Sequence, residues 1–414
     1  MKRKTLTGII AMISFATLAV PVWLAAQNSP QESSQVRYRV INLGTIGGTA
    51  SSGNGINNLG WVTGVSNQTG DQTQEATLWA YGLKVPLGTL GGPNSGVLFP
   101  SKANNGEIAG VSETAKIDPY GEDWSCSAFF PTVTGHTCVG FVWRFGMMVP
   151  LPTLGGDNGF AAGINDRGQV VGWAENTVQD PTCHGRNQVL QFEAVVWGPN
   201  GKIQQQLSPL PSDPDGAAVA INDNGQVVGI SGICDQAVGR FSAKHAVVWQ
   251  NGTVTDLGNL GGGSWNTPDA INQEGQIVGF SDLPGDSDGN PNFHAVFWPK
   301  TGGPQCNGHC IDLGTLSGDS LSESTGINNK NQIVGVSIGA GSPFGSRAFL
   351  WENGKMLDLN TLVVPGTTLQ LVVGGDINDR GEITGAAIDP NSTECGAATA
   401  GCAFLAIPVV QAQQ

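Results

Sequence analysis

The stretch Ile271-Asn272-Gln273-Glu274-Gly275-Gln276-Ile277-Val278-Gly279 occurs, with small changes, seven times along the chain. The Asn side chain can bond the backbone two residues further on, Gly supplies a left-handed turn position, and the β-branched pair begins a strand. Each copy therefore predicts a β-hairpin. The copies are spaced by 46, 62, 57, 50, 56 and 50 residues, and their turn residues are Gly60, Gly106, Gly168, Gly225, Gly275, Asn331 and Gly381.

Two further phrases alternate with this hairpin. One is a small residue that leads an apolar run to tryptophan, as in Ala246-Val247-Val248-Trp249, and the seventh copy at 403–406 has lost its Trp. The other ends a strand, as in Leu87-Gly88-Thr89-Leu90-Gly91-Gly92. Each unit thus predicts four short strands in about 50 residues, which is typical of a β-propeller blade. We interpret the repeated Trp as packing between blades rather than as a ring of ligand-stacking aromatics.

The two ends of the repeat region complement each other. A strand of the third phrase at 36–43 has no partner before it, and a strand of the second phrase at 403–407 has none after it. Pairing of these two strands would close the ring and leave no open sheet edge, whereas an open solenoid needs no such complementarity. The sequence predicts an all-β, seven-bladed β-propeller of four-stranded blades, closed by its N- and C-terminal strands.

These phrases resemble the HAF repeat of bacterial extracellular repeat proteins, named for a His/Ala/Phe-like strand start. The starts here are His245-Ala246-Val247, His294-Ala295-Val296, Arg347-Ala348-Phe349 and Cys402-Ala403-Phe404. The resemblance implies export and a repeat β architecture, and it carries over no catalytic residues. Two copies depart from the pattern, since the turn at 103–106 looks one residue short and the strand end at 207–211 has lost its glycines.

Composition agrees with a β-rich fold. Glycine makes up 61 of 414 residues and charged residues only 13%. Glycine costs about 1 kcal/mol per helix position relative to alanine, so long helices are disfavoured. The formal net charge is −14. A chain this acidic is not expected to bind nucleic acid or anionic lipid through bulk charge.

The N-terminus has the pattern of an export signal. Lys2, Arg3 and Lys4 precede an apolar run at 6–24 and small residues at Ala25-Ala26. We expect a signal peptide at 1–26, a linker at 27–35, the propeller at 36–408 and a tail at 409–414. The protein is then secreted or periplasmic, is not inserted in the membrane after cleavage, and is expected to be a monomer. The alternative is an uncleaved anchor, because the run approaches the ~20 residues that span a bilayer.

All eight cysteines lie in the exported part, which suggests disulfides. Proximity favours three pairs and leaves a fourth, and these are Cys126–Cys138, Cys306–Cys310, Cys395–Cys402 and Cys183–Cys234. A metal site at Cys306, His309 and Cys310 is the alternative for one of them, although no second ligand pair has the spacing of a zinc site.

The variable loops join the second and third strands of each blade, and all of these loops open on one face. The longest loop, at 113–138, and the blade link near 265 contain the candidate ligand-binding residues Tyr120, Trp124, Phe129, Phe130 and Trp265. Aromatic rings beside carboxylates could hold a sugar or a cationic peptide, but such rings also pack long loops onto the blade beneath. Elaborated loops on a rigid scaffold are where binding usually occurs.

Asp286, Asp288 and Asn290 have the alternating oxygen ligands of a calcium loop, and a solvated turn is the alternative interpretation. No other cofactor is expected. No Gly-x-Ser-x-Gly or His-Glu-x-x-His motif occurs, so no catalytic residue is assigned. The sequence favours a non-catalytic propeller that binds an extracellular protein or glycan through the long-loop face. The alternatives are a hydrolase or lyase with a site at the channel mouth, and a structural cell-surface or matrix protein.

Overall fold

The protein folds into seven four-stranded antiparallel sheets arranged as the blades of a β-propeller, as the sequence predicts. A computed structural model of the chain describes residues 36–124, 126–183, 187–234, 241–287, 290–303, 305–396 and 401–409. Within these ranges the only helical segments are three 3₁₀ turns, at Ser127–Phe129, Cys306–Gly308 and Leu359–Leu362. The predicted signal peptide at 1–26, the linker at 27–35 and residues 410–414 of the tail lie outside the described residues.

Strands follow one another from the channel outwards in the first six blades. Blade 1 contains β2 (Ser51–Ile56), β3 (Val62–Asn67), β4 (Gln74–Ala80) and β5 (Leu83–Pro86). Blade 2 contains β6 (Gly91–Gly96), β7 (Ile108–Ile117), β8 (His136–Arg144) and β9 (Met147–Pro150). Blade 3 contains β10 (Gly159–Ile164), β11 (Val170–Gln179), β12 (Leu190–Trp197) and β13 (Ile203–Leu207).

The next three blades have the same order. Blade 4 contains β14 (Asp215–Ile221), β15 (Val227–Gly232), β16 (His245–Gln250) and β17 (Thr253–Asp256). Blade 5 contains β18 (Asn266–Ile271), β19 (Ile277–Asp282), β20 (Phe293–Trp298) and β21 (Ile311–Gly314). Blade 6 contains β22 (Asp319–Ile327), β23 (Ile333–Gly339), β24 (Ser346–Glu352) and β25 (Lys355–Asp358).

The seventh blade is shared by the two ends of the chain. It contains β26 (Gln370–Ile377), β27 (Ile383–Ile388) and β28 (Cys402–Val409), and β1 (Arg37–Asn42) is its outermost strand. The register runs from Arg37 opposite Val409 to Asn42 opposite Phe404, so the predicted closure is confirmed. The last strand ends one residue beyond the predicted propeller boundary at 408. Among the described residues, no helix has the length and apolar character needed to cross a bilayer.

A closed circle of hydrogen bonds joins the seven blades at the turns between their first and second strands. In each turn the residue after the repeated Asn donates its backbone N–H to the side-chain oxygen of its counterpart in the next blade, over 2.6–3.0 Å. The circle runs through Asn58, Asn104, Asp166, Asp223, Gln273, Asn329 and Asp379 and returns to Asn58. Each blade is therefore tied to both neighbours through one residue.

The repeated Asn forms a second circle just inside the first. Asn222 illustrates the pattern: its Oδ1 accepts the N–H groups of Asn224 and Gln226 in its own turn, and its Nδ2 donates to the carbonyl of Asn272 in the next blade, over 3.0 Å. Six of the seven blades make this inter-blade bond. Ala103 interrupts the circle because its side chain has no amide group that could donate a hydrogen bond to blade 3.

The turn in blade 2 is not shortened, which corrects the expectation for 103–106. Asn57 Nδ2 donates to the carbonyl of Ala103, and the N–H of Asn58 donates to Asn104 Oδ1. Blade 2 therefore has a turn of normal length in which Lys102-Ala103 replaces Ile-Asn. The degeneracy lies in the residue types and not in the length of the turn.

Lys102 takes the place of an isoleucine at the channel and reaches across it. Its Nζ lies 2.8 Å from Asp376 Oδ1 in blade 7 and donates to the carbonyl of Ile327 in blade 6, over 2.9 Å. Asp376 Oδ2 also accepts the N–H of Ile56 in blade 1. Burial raises the pKa of the Asp376 carboxyl, and the Lys102 ammonium opposes that shift. The pair thus connects blades 1, 2, 6 and 7 across the axis.

The repeated tryptophans pack between blades. Trp197, Trp249 and Trp298 are buried, and each indole N–H donates to a backbone carbonyl of the preceding blade. The acceptors are the carbonyls of Pro152, Ser208 and Gly258, which belong to the third phrase. Packing, rather than ligand stacking, accounts for these positions.

The His and Arg side chains at the strand starts stabilise their own blades. His245 Nδ1 lies 2.8 Å from Asp256 Oδ2, and His294 pairs with Asp312 in the same way. Arg347 bonds Asp358 at the equivalent place. Each pair joins the third strand to the end of the fourth, so these residues belong to the scaffold.

The inner circle predicts a stability difference. We expect Asn222→Ala to lower the free energy of unfolding by about 2–4 kcal/mol, because it removes several buried hydrogen bonds. Asp223→Ala is the control, since it removes one acceptor from the outer circle and should cost about 1 kcal/mol. Urea unfolding followed by tryptophan fluorescence measures both values. Equal losses in the two variants would contradict a dominant role for the inner circle.

Candidate ligand-binding face

The end of the ring opposite the Asn turns has the longest loops. Two hairpins, β7–β8 and β11–β12, project from this face because β7 and β11 each have ten residues, whereas most second strands have six or seven. They belong to the neighbouring blades 2 and 3. We call the surface formed by these hairpins and the loops 118–135 and 180–189 the long-loop face.

Disulfides attach several of these loops to the scaffold. The structure contains the four expected pairs, Cys126–Cys138, Cys183–Cys234, Cys306–Cys310 and Cys395–Cys402. Cys183–Cys234 joins the loops of blades 3 and 4. Because Cys306 and Cys310 bond each other, their sulfurs are not available as the thiolate ligands of a metal, and that alternative is wrong. Glu394 lies near Cys395 and Cys402, but these sulfurs are bonded to each other as well.

The candidate aromatic residues Trp124 and Phe129 anchor the long loop. Trp124 stacks on Trp173 at 5.4 Å between ring centroids, and Phe129 meets Phe160 edge-on at 5.2 Å. Phe160 lies on β10, the innermost strand of blade 3, so the loop of blade 2 reaches over the inner strands of its neighbour. These two rings form the base of the face rather than its outer surface.

Backbone hydrogen bonds fix the same loop on both sides. The N–H of Trp124 donates to the carbonyl of Asn187, and Glu122 Oε1 accepts the N–H groups of Val189 and Leu190 in blade 3. On the other side, Gln74 of blade 1 donates to the carbonyl of Phe129. A loop held by three blades is a pre-organised surface, and pre-organisation lowers the entropic cost of binding.

The other three candidate residues differ in their exposure. Phe130 is buried beneath the loop. Trp265 is half-buried in the link to blade 5, where it packs edge-on against Phe280 at 4.9 Å. Tyr120 is exposed near the tip of the loop. Phe130 and Trp265 belong to the same apolar cluster as Trp124 and Phe129. Ligand binding by the five residues stays a prediction, and it concerns the exposed Tyr120 above all.

Exposed aliphatic side chains on this face were missed by the sequence analysis. Ile117, Val133 and Val178 are all more than half exposed, and like Tyr120 they lie on the two projecting hairpins. Ile117 and Val178 lie where β7 and β11 extend past the ordinary strand length. The sequence signal for these side chains is the additional residues in two copies of the repeat, at positions that the sequence analysis assigns to loops.

Buried carboxyl groups lie beneath the loops of blades 2 to 4. Burial raises the pKa of Glu122 to about 8, and the charge of nearby Glu175 adds to the shift. Burial raises the pKa of Asp215 to about 9, and a hydrogen bond with Asp180 contributes in the same direction. Burial of two adjacent carboxyl groups favours one shared proton, so we expect Asp215 to be protonated near neutral pH.

The predicted calcium loop is only partly described. Asp288 lies outside the described residues. Asp286 Oδ1 accepts the N–H of Asn292, and the backbones of Ser287 and Asn290 bond each other across a turn. These contacts describe a hairpin turn, and calcium binding by Asp286, Asp288 and Asn290 stays a prediction.

Fold and face together define the protein as a closed β-propeller with one elaborated loop face. No protein-family profile and no curated protein matches the chain in sequence. Membership of the HAF repeat family therefore stays a prediction.

Solved structures similar to the chain are distant. The acylaminoacyl peptidase of Pyrococcus horikoshii has a TM-score of 0.45 and 9% identity over 85% of this chain and 49% of the peptidase. A gluconolactonase from Xanthomonas campestris has a TM-score of 0.38 and 7% identity over 91% of this chain and 92% of the lactonase. The chain thus spans about half of the length of the peptidase.

The shared proton predicts a pH effect at Asp215. An unfolded Asp ionises near pH 4, whereas the folded carboxyl keeps its proton up to about pH 9, so folding takes up a proton between these values. The free-energy cost of taking up this proton grows as the pH rises, so the folded state becomes less stable. We expect Asp215→Asn to raise the melting temperature at pH 8 relative to the unchanged protein, and the advantage should shrink towards pH 5.

The control for this experiment is Asp223→Asn at the channel mouth, where the replaced oxygen accepts one backbone hydrogen bond. Thermal melts of both variants from pH 5 to 9 measure the difference. An advantage of Asp215→Asn that does not change with pH would contradict a shared proton at this carboxyl.

The disulfides predict a second difference. In the chain-entropy account, a bridge across the 51-residue separation of Cys183–Cys234 stabilises by about 4 kcal/mol, and one across 4 residues, as in Cys306–Cys310, by about 2 kcal/mol. We therefore expect Cys183→Ser/Cys234→Ser to lower the urea midpoint more than Cys306→Ser/Cys310→Ser. The opposite order would show that Cys183–Cys234 does not stabilise the protein by restricting the conformations of the unfolded chain.

Proposed function

We propose that the protein is an exported, non-catalytic binding propeller that holds an extracellular protein ligand on the long-loop face. The observation that carries the proposal is the exposure of Ile117, Tyr120, Val133 and Val178 on two projecting hairpins of adjacent blades. Large apolar side chains grouped on a rigid, loop-rich surface are characteristic of interaction sites.

The chemistry of this surface favours a protein over a glycan. Aromatic rings bind sugars through their flat faces, but Trp124 and Phe129 use their rings to pack the loop on blade 3. Tyr120 remains as an exposed ring, and the other large exposed side chains on the two hairpins, Ile117, Val133 and Val178, are aliphatic. Aliphatic side chains bind by burial of apolar area, which suits a complementary protein surface.

Binding is also favoured over hydrolysis. Two carboxyl groups with raised pKa values, Glu122 and Asp215, are only 2% and 1% exposed and lie within the packed base of the loops. Burial also raises the pKa values of Asp269 and Glu323, which lie on the inner strands of blades 5 and 6. The cavity at the Asn-turn end of the channel has a volume of about 80 Å³, whereas pockets for small ligands measure about 300–1,000 Å³. At that cavity Lys102 is paired with Asp376.

The experiment is a binding screen of the protein without residues 1–26 on peptide and glycan arrays. We expect saturable binding to peptides rich in apolar residues. Val133→Asp should weaken it at least tenfold, because a charge replaces an apolar contact. The matched control is Val36→Asp, which changes an exposed apolar residue immediately before β1, outside the long-loop face, and should leave binding unchanged.

Two results would overturn the proposal. One is the absence of saturable binding to any peptide. The other is binding that survives both Val133→Asp and the shortening of residues 115–137.

A further inference from the structure

Four hairpin turns between third and fourth strands have the same backbone but two kinds of residue. Asn251-Gly252 and Asn353-Gly354 have both residues in the left-handed region, with φ of 52° and 79° and of 53° and 77°. Blades 1 and 2 have Tyr81-Gly82 and Phe145-Gly146 instead, with φ of 54° and 78° and of 53° and 79°. The first position of the turn is therefore aromatic in two adjacent blades.

An aromatic residue is a poor choice for this position. The left-handed conformation crowds Cβ against the following carbonyl, and it costs roughly 1–2 kcal/mol for residues other than Gly, with Asn tolerated best. The chain uses Asn at two sister turns, so Asn fits the repeat. Tyr81 and Phe145 therefore oppose local stability, and strain of this kind tends to occur where side chains have a function.

Both side chains project into solvent within a larger apolar patch. Tyr81 is 80% exposed and Phe145 is 92% exposed, and Leu83 and Met147, at the other end of each turn, are 65% and 62% exposed. Leu59, in the first turn of blade 1, is 45% exposed. We call these five residues the turn patch.

The turn patch rests on one shared foundation. Trp61 meets Tyr81 edge-on at 6.1 Å, and its ring lies against the turn of blade 2 at Gly106. Trp61 also belongs to a cluster with Trp143 and Met148, which underlies the turn that contains Phe145. The patch is therefore continuous across the boundary between blades 1 and 2.

The size and the border of the turn patch suit a protein interface. Exposed aromatic side chains offer about 150–250 Å² each, so the five residues present on the order of 600 Å². A standard interface takes about 800 Å² from each partner. Ion pairs border the patch, Arg144 with Glu107 and Arg380 with Glu382. An apolar, aromatic and Met-containing centre with a polar rim is the usual anatomy of such a contact.

We infer that the turn patch binds a second copy of this chain, in a two-fold dimer that brings the turn of blade 1 in one copy against the turn of blade 2 in the other. Two similar turns side by side make a self-complementary surface, as a two-fold contact requires. The arginines at its border, Arg144 and Arg380, are paired with carboxylates and so do not oppose the approach of a second copy. The long-loop faces, at the opposite end of each ring, then point away from each other and stay free for ligand.

Sedimentation velocity tests the inference on protein that lacks residues 1–26, which removes the apolar run at 6–24 as a source of association. Between about 1 and 100 µM the unchanged protein should pass from monomer to dimer. Tyr81→Asn/Phe145→Asn should weaken dimer formation at least tenfold. Phe145→Asn alone should also raise the melting temperature of the dilute monomer, because Asn suits the left-handed position.

The matched control places aromatic residues in the sister turns, as Asn251→Tyr/Asn353→Phe. This variant should melt at a lower temperature and dimerise as the unchanged protein does. A protein that stays monomeric at 100 µM would overturn the inference. So would dimers that are unaffected by Tyr81→Asn/Phe145→Asn, or a dimer that Val133→Asp dissociates, because the contact would then lie on the long-loop face.

Discussion

The hydrogen bonds that circle the channel mouth are the constraint on which the rest of the structure depends. A blade is a small sheet that cannot bury both of its faces alone, so its stability comes from its neighbours. In each blade a backbone N–H at one turn points to a side-chain oxygen of the next blade, and the seventh bond returns to the first. Such a circle closes only when the number of blades and the tilt of every inner strand are right. The hydrogen bonds at the turns therefore depend on the geometry of the whole ring.

The fold could be predicted because its information is repeated. Seven copies of one hairpin, six of them followed by a strand that ends in tryptophan, outweigh the irregularity of any single copy. The unmatched strands at 36–43 and 403–407 indicate how the ring closes. The residues of the hydrogen-bonded circle share a pattern in the sequence. Asn, Asp or Gln follows the repeated Asn, or Ala103 in its place, in every blade. The circle itself could not be predicted, because the sequence does not show that neighbouring turns approach within hydrogen-bond distance.

The candidate site was predicted less well, for a physical reason. Loops follow no repeat, and the role of an aromatic residue in a loop depends on what lies beneath it. Trp124 packs inwards because Trp173 and Phe192 offer it a surface on blade 3, whereas Val133 on the same loop is left in water. No property of the loop sequence alone distinguishes these two outcomes. The role of Lys102 could not be predicted either, because it depends on Asp376, about 270 residues away in the chain and two blades away in the ring.

The pairing of β1 with β28 also orders events in time. Of the strands that the structure describes, β1 is synthesised first and its partner β28 last, so β1 cannot form its hydrogen bonds until β28 has been made. Contacts between such distant residues form slowly, and an unpaired strand edge invites association with other chains in the meantime. Arg37 and Arg39 lie in this waiting strand, where their charges discourage association of edges. β1 thus completes the ring, and its two arginines protect its edge from association with other chains until it pairs with β28.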